Sequence, residues 1–218
     1  DTIERLMRHF PKDSKFVSVE EFDRRVQAIL ARIRENVQTA NLAKGAYFPF
    51  CIPQMEVDDY GRVLDEVFLT ALGASYSELF PERTFNNYCK GTLAEQVKIV
   101  AGSRHEQVVS AMANAPVVGV YFPCSQGFSV DAQLEQVKNL PDWLLLSGGF
   151  DTITALIGSL GIMARDYKTP GLDMSTLAWR STGCSLRAEA DGDELCVDIK
   201  TSLGYARGNY SGGLSVLG

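Results

Sequence analysis

The chain has 218 residues, 45% of them hydrophobic and 22% charged, a balance typical of a globular protein with a sizeable core. Its formal net charge of −6 argues against a general nucleic-acid binder, which needs a basic surface to displace counterions. Neither a membrane-spanning helix nor a disulfide framework is expected, because no apolar run approaches roughly 20 residues and the five cysteines are odd in number and widely spaced.

The first third of the chain reads as helical. Ser18-Val-Glu-Glu21 is a capping box, a hydroxyl followed three residues later by a carboxylate, which marks the start of a helix. Apolar side chains then recur at steps of three and four from Val19 to Val37, which predicts an amphipathic helix of about five turns. A similar pattern from Val63 to Leu72 predicts a second helix that ends at Gly73.

The segment Ala46–Pro53 is apolar and aromatic but carries two prolines. This favours an edge strand, because proline cannot donate to a central ladder. Apolar exposure here would suit a protein partner. Farther along, capping boxes at Thr92–Glu95 and Ser103–Glu106 predict helices at about 93–101 and 104–114.

From Val117 onward, strand and helix patterns alternate. Apolar runs at Val117–Phe122 and Leu144–Leu146 flank a helical pattern near 130–139, and Ile153–Met163 predicts a further helix. This order favours a small parallel βαβ element.

Near the C-terminus, alternating residues on both sides of a glycine turn predict an antiparallel hairpin. A loop at Gly192–Asp193 sets Arg187 opposite Asp198, which is favourable. A loop one residue earlier sets Glu189 against Glu194, which is unfavourable, so we prefer the first register.

These elements predict an α+β (mixed α/β) fold in a single domain, residues 1–218. Its helical N-terminal part, residues 1–115, is expected to pack on a mixed sheet formed by residues 116–218 with the C-terminal hairpin. The glycine-rich tail predicts a loop and a short last strand. Within it Tyr205, Arg207 and Tyr210 are a candidate ligand clamp, because arginine and aromatic side chains stack on ligands.

One local pattern points to a specific chemistry. Ser147-Gly-Gly-Phe-Asp-Thr152 follows a short apolar strand and opens a helix, the layout in which backbone N–H groups and a helix dipole hold a phosphate. Gly148 and Gly149 let the backbone approach the anion, the hydroxyls of Ser147 and Thr152 donate to it, and Asp151 serves a metal ion or caps the helix.

This run resembles the Ser-Gly-Gly-x-Asp-Ser/Thr signature of the PP-loop ATP pyrophosphatase superfamily. The resemblance implies binding of the pyrophosphate of ATP while a substrate is adenylated. Only about 66 residues follow Thr152, however, and they look hairpin-rich, so the parallel strands that would hold adenine are missing. The other interpretation is a strand-to-helix turn in which Ser147 or Asp151 is the N-cap.

Two further residues are candidates for chemistry. His105 shares a helix face with apolar residues and points toward the core or its rim, where it is either a general base or a packed histidine bonded to one carbonyl. Arg165 either contacts an anion beside the glycine turn or favours a helix C-terminus through the dipole. With only two histidines in the chain, no metal site is expected.

A wider resemblance covers much of the second half. Gly102–Met112, Leu146–Thr152 and Ala164–Asp173 together resemble an uncharacterised bacterial domain family of unknown function, which implies a bacterial, cytoplasmic protein. We therefore expect a soluble binding or interaction protein with a protein partner or a second copy of itself. The alternative is an enzyme or ligand-binding domain that acts on a phosphorylated or nucleotide-like anion at Ser147–Thr152, with magnesium and a nucleotide as candidate cofactors.

Overall fold

The computed structural model describes residues 2–181 and 183–218. In these residues the helices are α1 (Thr2–His9), α2 (Val19–Glu35), α3 (Tyr60–Val63), α4 (Thr70–Leu79), α5 (Glu106–Asn114), α6 (Val130–Val137), α7 (Gly149–Gly158) and α8 (Leu160–Met163). The strands are β1 (Phe48–Ile52), β2 (Thr84–Asn87), β3 (Val97–Ile99), β4 (Val117–Gln126), β5 (Leu145–Leu146), β6 (Gly171–Met174), β7 (Leu177–Trp179), β8 (Cys184–Asp191), β9 (Glu194–Thr201) and β10 (Tyr210–Leu217). A 3₁₀ turn covers Leu42–Lys44, and a π-helical segment, Leu64–Leu69, joins α3 to α4.

The main sheet has eight strands. Seven lie in the order β1-β4-β10-β6-β8-β9-β2, and β5 pairs with β10 beside this path. The β10–β6 and β9–β2 pairs are parallel and the other pairs are antiparallel, so the sheet is mixed. Strands β3 and β7 form a separate antiparallel pair. The predicted α+β fold, with most helices before the sheet-rich part, is confirmed.

The predicted C-terminal hairpin has the preferred register. Arg187 faces Asp198 across β8 and β9, and Leu186 faces Ile199. One face of this hairpin is apolar and buried in the core, because Leu186, Ala188 and Val197 lie there. The other face carries the polar residues at the alternate positions, as the period of two in a strand requires.

The prediction of a parallel βαβ element is correct in the direction of its two strands, but these strands are not neighbours in the sheet. Both β4 and β5 run antiparallel to β10, so they are parallel to each other. Leu214 of β10 nevertheless pairs with Phe122 on one side and Leu146 on the other, which places β10 between them. The C-terminal tail supplies the strand between them, β10. This strand, Tyr210–Leu217, is longer and more buried than the short last strand that the sequence predicts.

The predicted helix over residues 93–101 is wrong. The segment forms a turn and then β3, which pairs with β7. Glu95 has a left-handed backbone (φ 61°), and its amide donates to the Asp59 carboxylate, 2.6 Å away. The Thr92–Glu95 pattern therefore belongs to a turn that is held by a distant acid, not to a capping box.

The predicted stop at Gly73 is also wrong, because α4 continues through it to Leu79. A Cβ at Gly73 would lie 2.6 Å from the ring of Phe85. The glycine therefore makes room for a side chain from β2 and does not end the helix.

Strand β1 forms one edge of the sheet, as the two prolines predict. Its side chains Phe50, Cys51 and Ile52 are nonetheless fully buried, because helix α7 packs against this strand. The apolar exposure that would mark a partner-binding edge is absent from these three residues. No helix in the described ranges is long and apolar enough to cross a membrane.

Candidate functional site

The glycine turn lies where the sequence places it, between β5 and α7, but it is deep in the molecule. Ser147, Asp151 and Thr152 have no exposed surface, and Gly148 and Gly149 are buried as well. Gly148 is the N-cap of α7.

The carboxylate of Asp151 occupies the first turn of α7. Its Oδ1 accepts hydrogen bonds from the amides of Gly148 (2.9 Å) and Thr152 (3.0 Å). Its Oδ2 accepts a hydrogen bond from the hydroxyl of Ser215 (2.6 Å), and the hydroxyls of Ser147 and Ser215 lie 3.2 Å apart. The negative charge that favours a helix N-terminus is thus supplied by the chain itself.

The remaining amides of this turn point at a tyrosine. The amide of Gly149 donates to Oη of Tyr60 at 2.9 Å, and the amide of Phe150 lies 3.4 Å from the same oxygen. The Tyr60 ring stacks on Phe150 with its centroid 4.0 Å away. Burial raises the pKa of Tyr60 well above its ordinary value, so the phenol keeps its proton.

His105 accepts the hydrogen bond from that phenol. Oη of Tyr60 lies 2.8 Å from Nε2 of His105, and since the oxygen already accepts from the helix, its hydrogen points to Nε2. His105 is fully buried, and this burial lowers its pKa. A Cβ at Gly148 would press on Nε2 of His105 and lie 2.5 Å from Oγ1 of Thr176, so the glycine is needed for this packing.

In the folded chain, the amides of this turn bind groups of the protein itself. The amides of Gly148, Gly149, Phe150 and Thr152 face Asp151 or Tyr60, so a phosphate reaches them only by displacing these groups. No cluster of three or more metal-ligating residues occurs in the described part of the chain. The assignment of Ser147–Thr152 to an anion and magnesium therefore stays a prediction without support from the geometry, as does His105 as a base for an external substrate.

The structure does not bring Arg165 to this turn. Arg165 follows α8, its side chain is exposed, and its guanidinium pairs with Asp166 at 3.2 Å. Its backbone carbonyl accepts a hydrogen bond from Arg83. Arg165 thus lies on the surface, while Ser147–Thr152 lies in the core.

A second group of polar residues surrounds an open cavity of about 160 Å³ on the polar face of the hairpin. We call it the cationic cavity. It is lined by Arg187, Ile199, Lys200, Thr201, Ser202, Tyr205, Arg207 and Tyr210. The three residues of the predicted clamp are among them.

The sheet builds one wall of the cationic cavity by a long-range pairing. Tyr210 of β10 pairs with Gly171 of β6, and a Cβ at Gly171 would lie 2.7 Å from the Tyr210 ring. The ring therefore lies over a strand position without a side chain. From there Oη of Tyr210 donates to Glu189 (2.8 Å) and accepts from Arg187. Burial raises the pKa of Tyr210 to about 12.

Lys200 and Asp173 form a buried ion pair at this wall. Nζ of Lys200 lies 2.5 Å from Oδ2 of Asp173, and the side chains are 6% and 0% exposed. Burial raises the pKa of Asp173. Oδ1 of Asp173 and Nε of Arg187 are buried without a hydrogen-bond partner within the described chain.

Arg207 stands at the outer side of the cavity. Its guanidinium lies 5.5 Å from the centre of the Tyr205 ring and 6.0 Å from that of Tyr210. In the part of the chain that the structure describes it makes no ion pair. Arg187, in contrast, lies 3.8 Å from both Glu189 and Asp198.

The sequence predicted three of the eight residues that line this cavity. Tyr205, Arg207 and Tyr210 stand out in a glycine-rich tail, but Arg187 and Lys200 look like ordinary outward-facing residues of a hairpin. The signal available was the hairpin register, which puts both on the same face as Asp198.

Comparison with known proteins adds no relative: no family model, no curated protein and no solved structure matches the chain. The resemblance to the PP-loop superfamily and to an uncharacterised bacterial family therefore stays a prediction.

Proposed function

We propose that the protein binds a small anionic ligand, a carboxylate or a phosphate, in the cationic cavity. The observation that carries the proposal is the lining: it contains Arg187, Lys200 and Arg207 and no carboxylate. Arginine is suited to such ligands because its planar fork of N–H groups binds two oxygens at once.

The charges around the cavity support an incoming anion. Lys200 is paired with Asp173, and Arg187 lies near two carboxylates. Among the residues that the structure describes, Arg207 contacts aromatic rings and makes no ion pair. Nε of Arg187 is buried without a hydrogen-bond partner in the described residues, so the chain does not fully satisfy this guanidinium.

The size of the cavity limits the ligand. At about 30 Å³ for each water, a volume of about 160 Å³ holds roughly five waters, which corresponds to a ligand of a few heavy atoms. A whole nucleotide would extend beyond the cavity into solvent. Tyr205 and Tyr210 add aromatic surface to a lining that is mostly polar.

The bacterial and cytoplasmic setting belongs to the same proposal. It is supported by the resemblance of the second half to a bacterial family and by five cysteines that are all unpaired, as is usual in a reducing compartment. A net charge of −6 favours a small ligand in a local basic site over nucleic acid as the binding partner.

The test is isothermal titration calorimetry of the purified chain with phosphate, acetate and pyruvate at constant ionic strength. Arg207→Gln should weaken anion binding at least about tenfold, because a charge-assisted hydrogen bond contributes about 1.5–3 kcal/mol. Arg165→Gln is the matched control, since it removes the same charge from an exposed arginine elsewhere. Equal losses in both variants, or no binding by the unchanged chain, would contradict the proposal.

A further inference from the structure

Lys200 differs from every other lysine of the chain. All eight lysines lie in the described residues, and seven are exposed, whereas Lys200 is buried and lines the cationic cavity. Burial of a lysine is costly, and lysines are almost never fully buried unless they are paired. The position therefore calls for an explanation beyond solubility or surface charge.

The carboxylate of Asp173 is positioned to accept a proton from Lys200. Oδ2 of Asp173 lies 2.5 Å from Nζ of Lys200, within reach for direct transfer. Oδ1 of the same carboxyl group is fully buried and has no hydrogen-bond partner in the described ranges. An acid that desolvation makes easier to protonate thus sits beside an amine at the edge of a ligand cavity.

We infer that Lys200 is a nucleophile that forms an imine with the carbonyl group of a small oxo-carboxylate bound in the cationic cavity. This inference rests on the proposed function, since Arg187 and Arg207 would hold the ligand's carboxylate. It narrows the ligand class from small anions in general to those with a ketone or aldehyde next to the anionic group.

The spacing of the side chains suits a ligand in which the two groups are adjacent. Nζ of Lys200 and Cζ of Arg187 each lie 5.0 Å from the centre of the Tyr210 ring. Both residues also line the cationic cavity, so one small ligand there can contact both. In a 2-oxo acid the carboxylate carbon and the carbonyl carbon share one bond, which suits a cavity of about 160 Å³.

The step balances without a further reagent. The ammonium of Lys200 gives one proton to Asp173, and the lone pair of Nζ attacks the carbonyl carbon while the C=O π electrons move to oxygen. The oxygen leaves as water after it has received two protons, one from nitrogen and the one held by Asp173. The products are a protonated imine and one water, and no atom is oxidised or reduced.

Reductive trapping tests the inference on the full-length chain. The protein is incubated with pyruvate and sodium cyanoborohydride, which delivers hydride to the imine carbon and fixes the adduct as a secondary amine. Intact mass and peptide mapping should show one adduct per chain, at Lys200, and added phosphate should suppress it. The seven exposed lysines serve as controls within the same sample.

Variants separate the chemistry from folding and from binding. Lys200→Arg keeps the positive charge beside Asp173 and should lose the adduct, whereas Lys138→Arg, an exposed lysine paired with Glu135, should keep it. If pyruvate binds by calorimetry but the label is absent or spread evenly over the lysines, the inference is wrong and the proposed function stands. If neither pyruvate nor phosphate binds, both are overturned.

Discussion

His105 and Tyr60 show how the chain satisfies the hydrogen-bonding groups of a helix N-terminus, the kind of site that otherwise suits an anion. The phenol accepts from the N-terminal amides of α7 and donates to the histidine, so its one hydrogen and its oxygen are both used. The neutral form of His105 is required for this arrangement, because a protonated Nε2 cannot accept. Protonation of His105 therefore destabilises this hydrogen-bond arrangement at the N-terminus of α7.

The free energy of unfolding should depend on the protonation of His105. Burial lowers its pKa below the ordinary value of 6.5, against the opposing charges of Asp151 and Glu106. Between the lowered pKa and 6.5 the unfolded chain binds a proton that the folded chain does not. Stability is thus full above about pH 6.5 and decreases below it, by up to about 1.4 kcal/mol per pH unit.

Urea unfolding between about pH 7.5 and 5.5 measures this slope. His105→Gln should flatten it, even if the variant is less stable throughout. His9→Gln is the control: burial lowers the pKa of His9 too, but Glu78 lies 3.1 Å from its ring and opposes that shift. An unchanged slope in His105→Gln would show that His105 does not control the acid response.

At the scale of elements, sequence rules predict those features that depend on residues close together in the chain. The β8–β9 register follows from a two-residue loop and from the repulsion that the other register would place between Glu189 and Glu194. The edge position of β1 follows from its prolines. The capping-box pattern at Thr92–Glu95 misleads, because Asp59, a residue far away in sequence, takes the Glu95 amide.

The β6–β10 pairing could not be predicted from local patterns, and it is what assembles the cationic cavity. It joins Tyr210 to Gly171, about 40 residues apart, and gives the tyrosine ring the space to reach Arg187 and Glu189. A glycine after a proline reads locally as a turn, not as room for a ring.

Gly171→Ala should therefore weaken anion binding with little effect on the fold. The new methyl group would lie 2.7 Å from the Tyr210 ring and would force it away from Arg187. We expect calorimetry to show a several-fold weaker affinity for phosphate and for pyruvate. Gly161→Ala is the matched control, since no atom lies within 4 Å of a Cβ at that position. Wild-type affinity in Gly171→Ala would argue that the Tyr210 ring does not shape the site.

At the scale of the whole molecule, the chain has two polar regions with different surroundings. The turn at Ser147–Thr152 is closed and satisfied by the chain's own Asp151 and Tyr60. The cationic cavity is open, and within the described residues Arg207 makes no ion pair there. The sequence correctly predicts that the turn lies between a strand and a helix. The solvent access of the turn, however, depends on the packing of α3 and β10 around it, which no local motif encodes.

One pair of variants decides which region binds an anion. Oγ1 of Thr152 is buried with no hydrogen-bond partner within residues 2–181 and 183–218, so Thr152→Val, similar in shape, should change the free energy of unfolding by less than about 1 kcal/mol. A ligand that binds only the folded chain raises its melting temperature. Millimolar phosphate should therefore stabilise wild type and Thr152→Val equally, and Arg207→Gln much less. Loss of the effect in Thr152→Val alone would move the site to the turn, because its hydroxyl would then be a ligand donor in an opened form of the helix N-terminus.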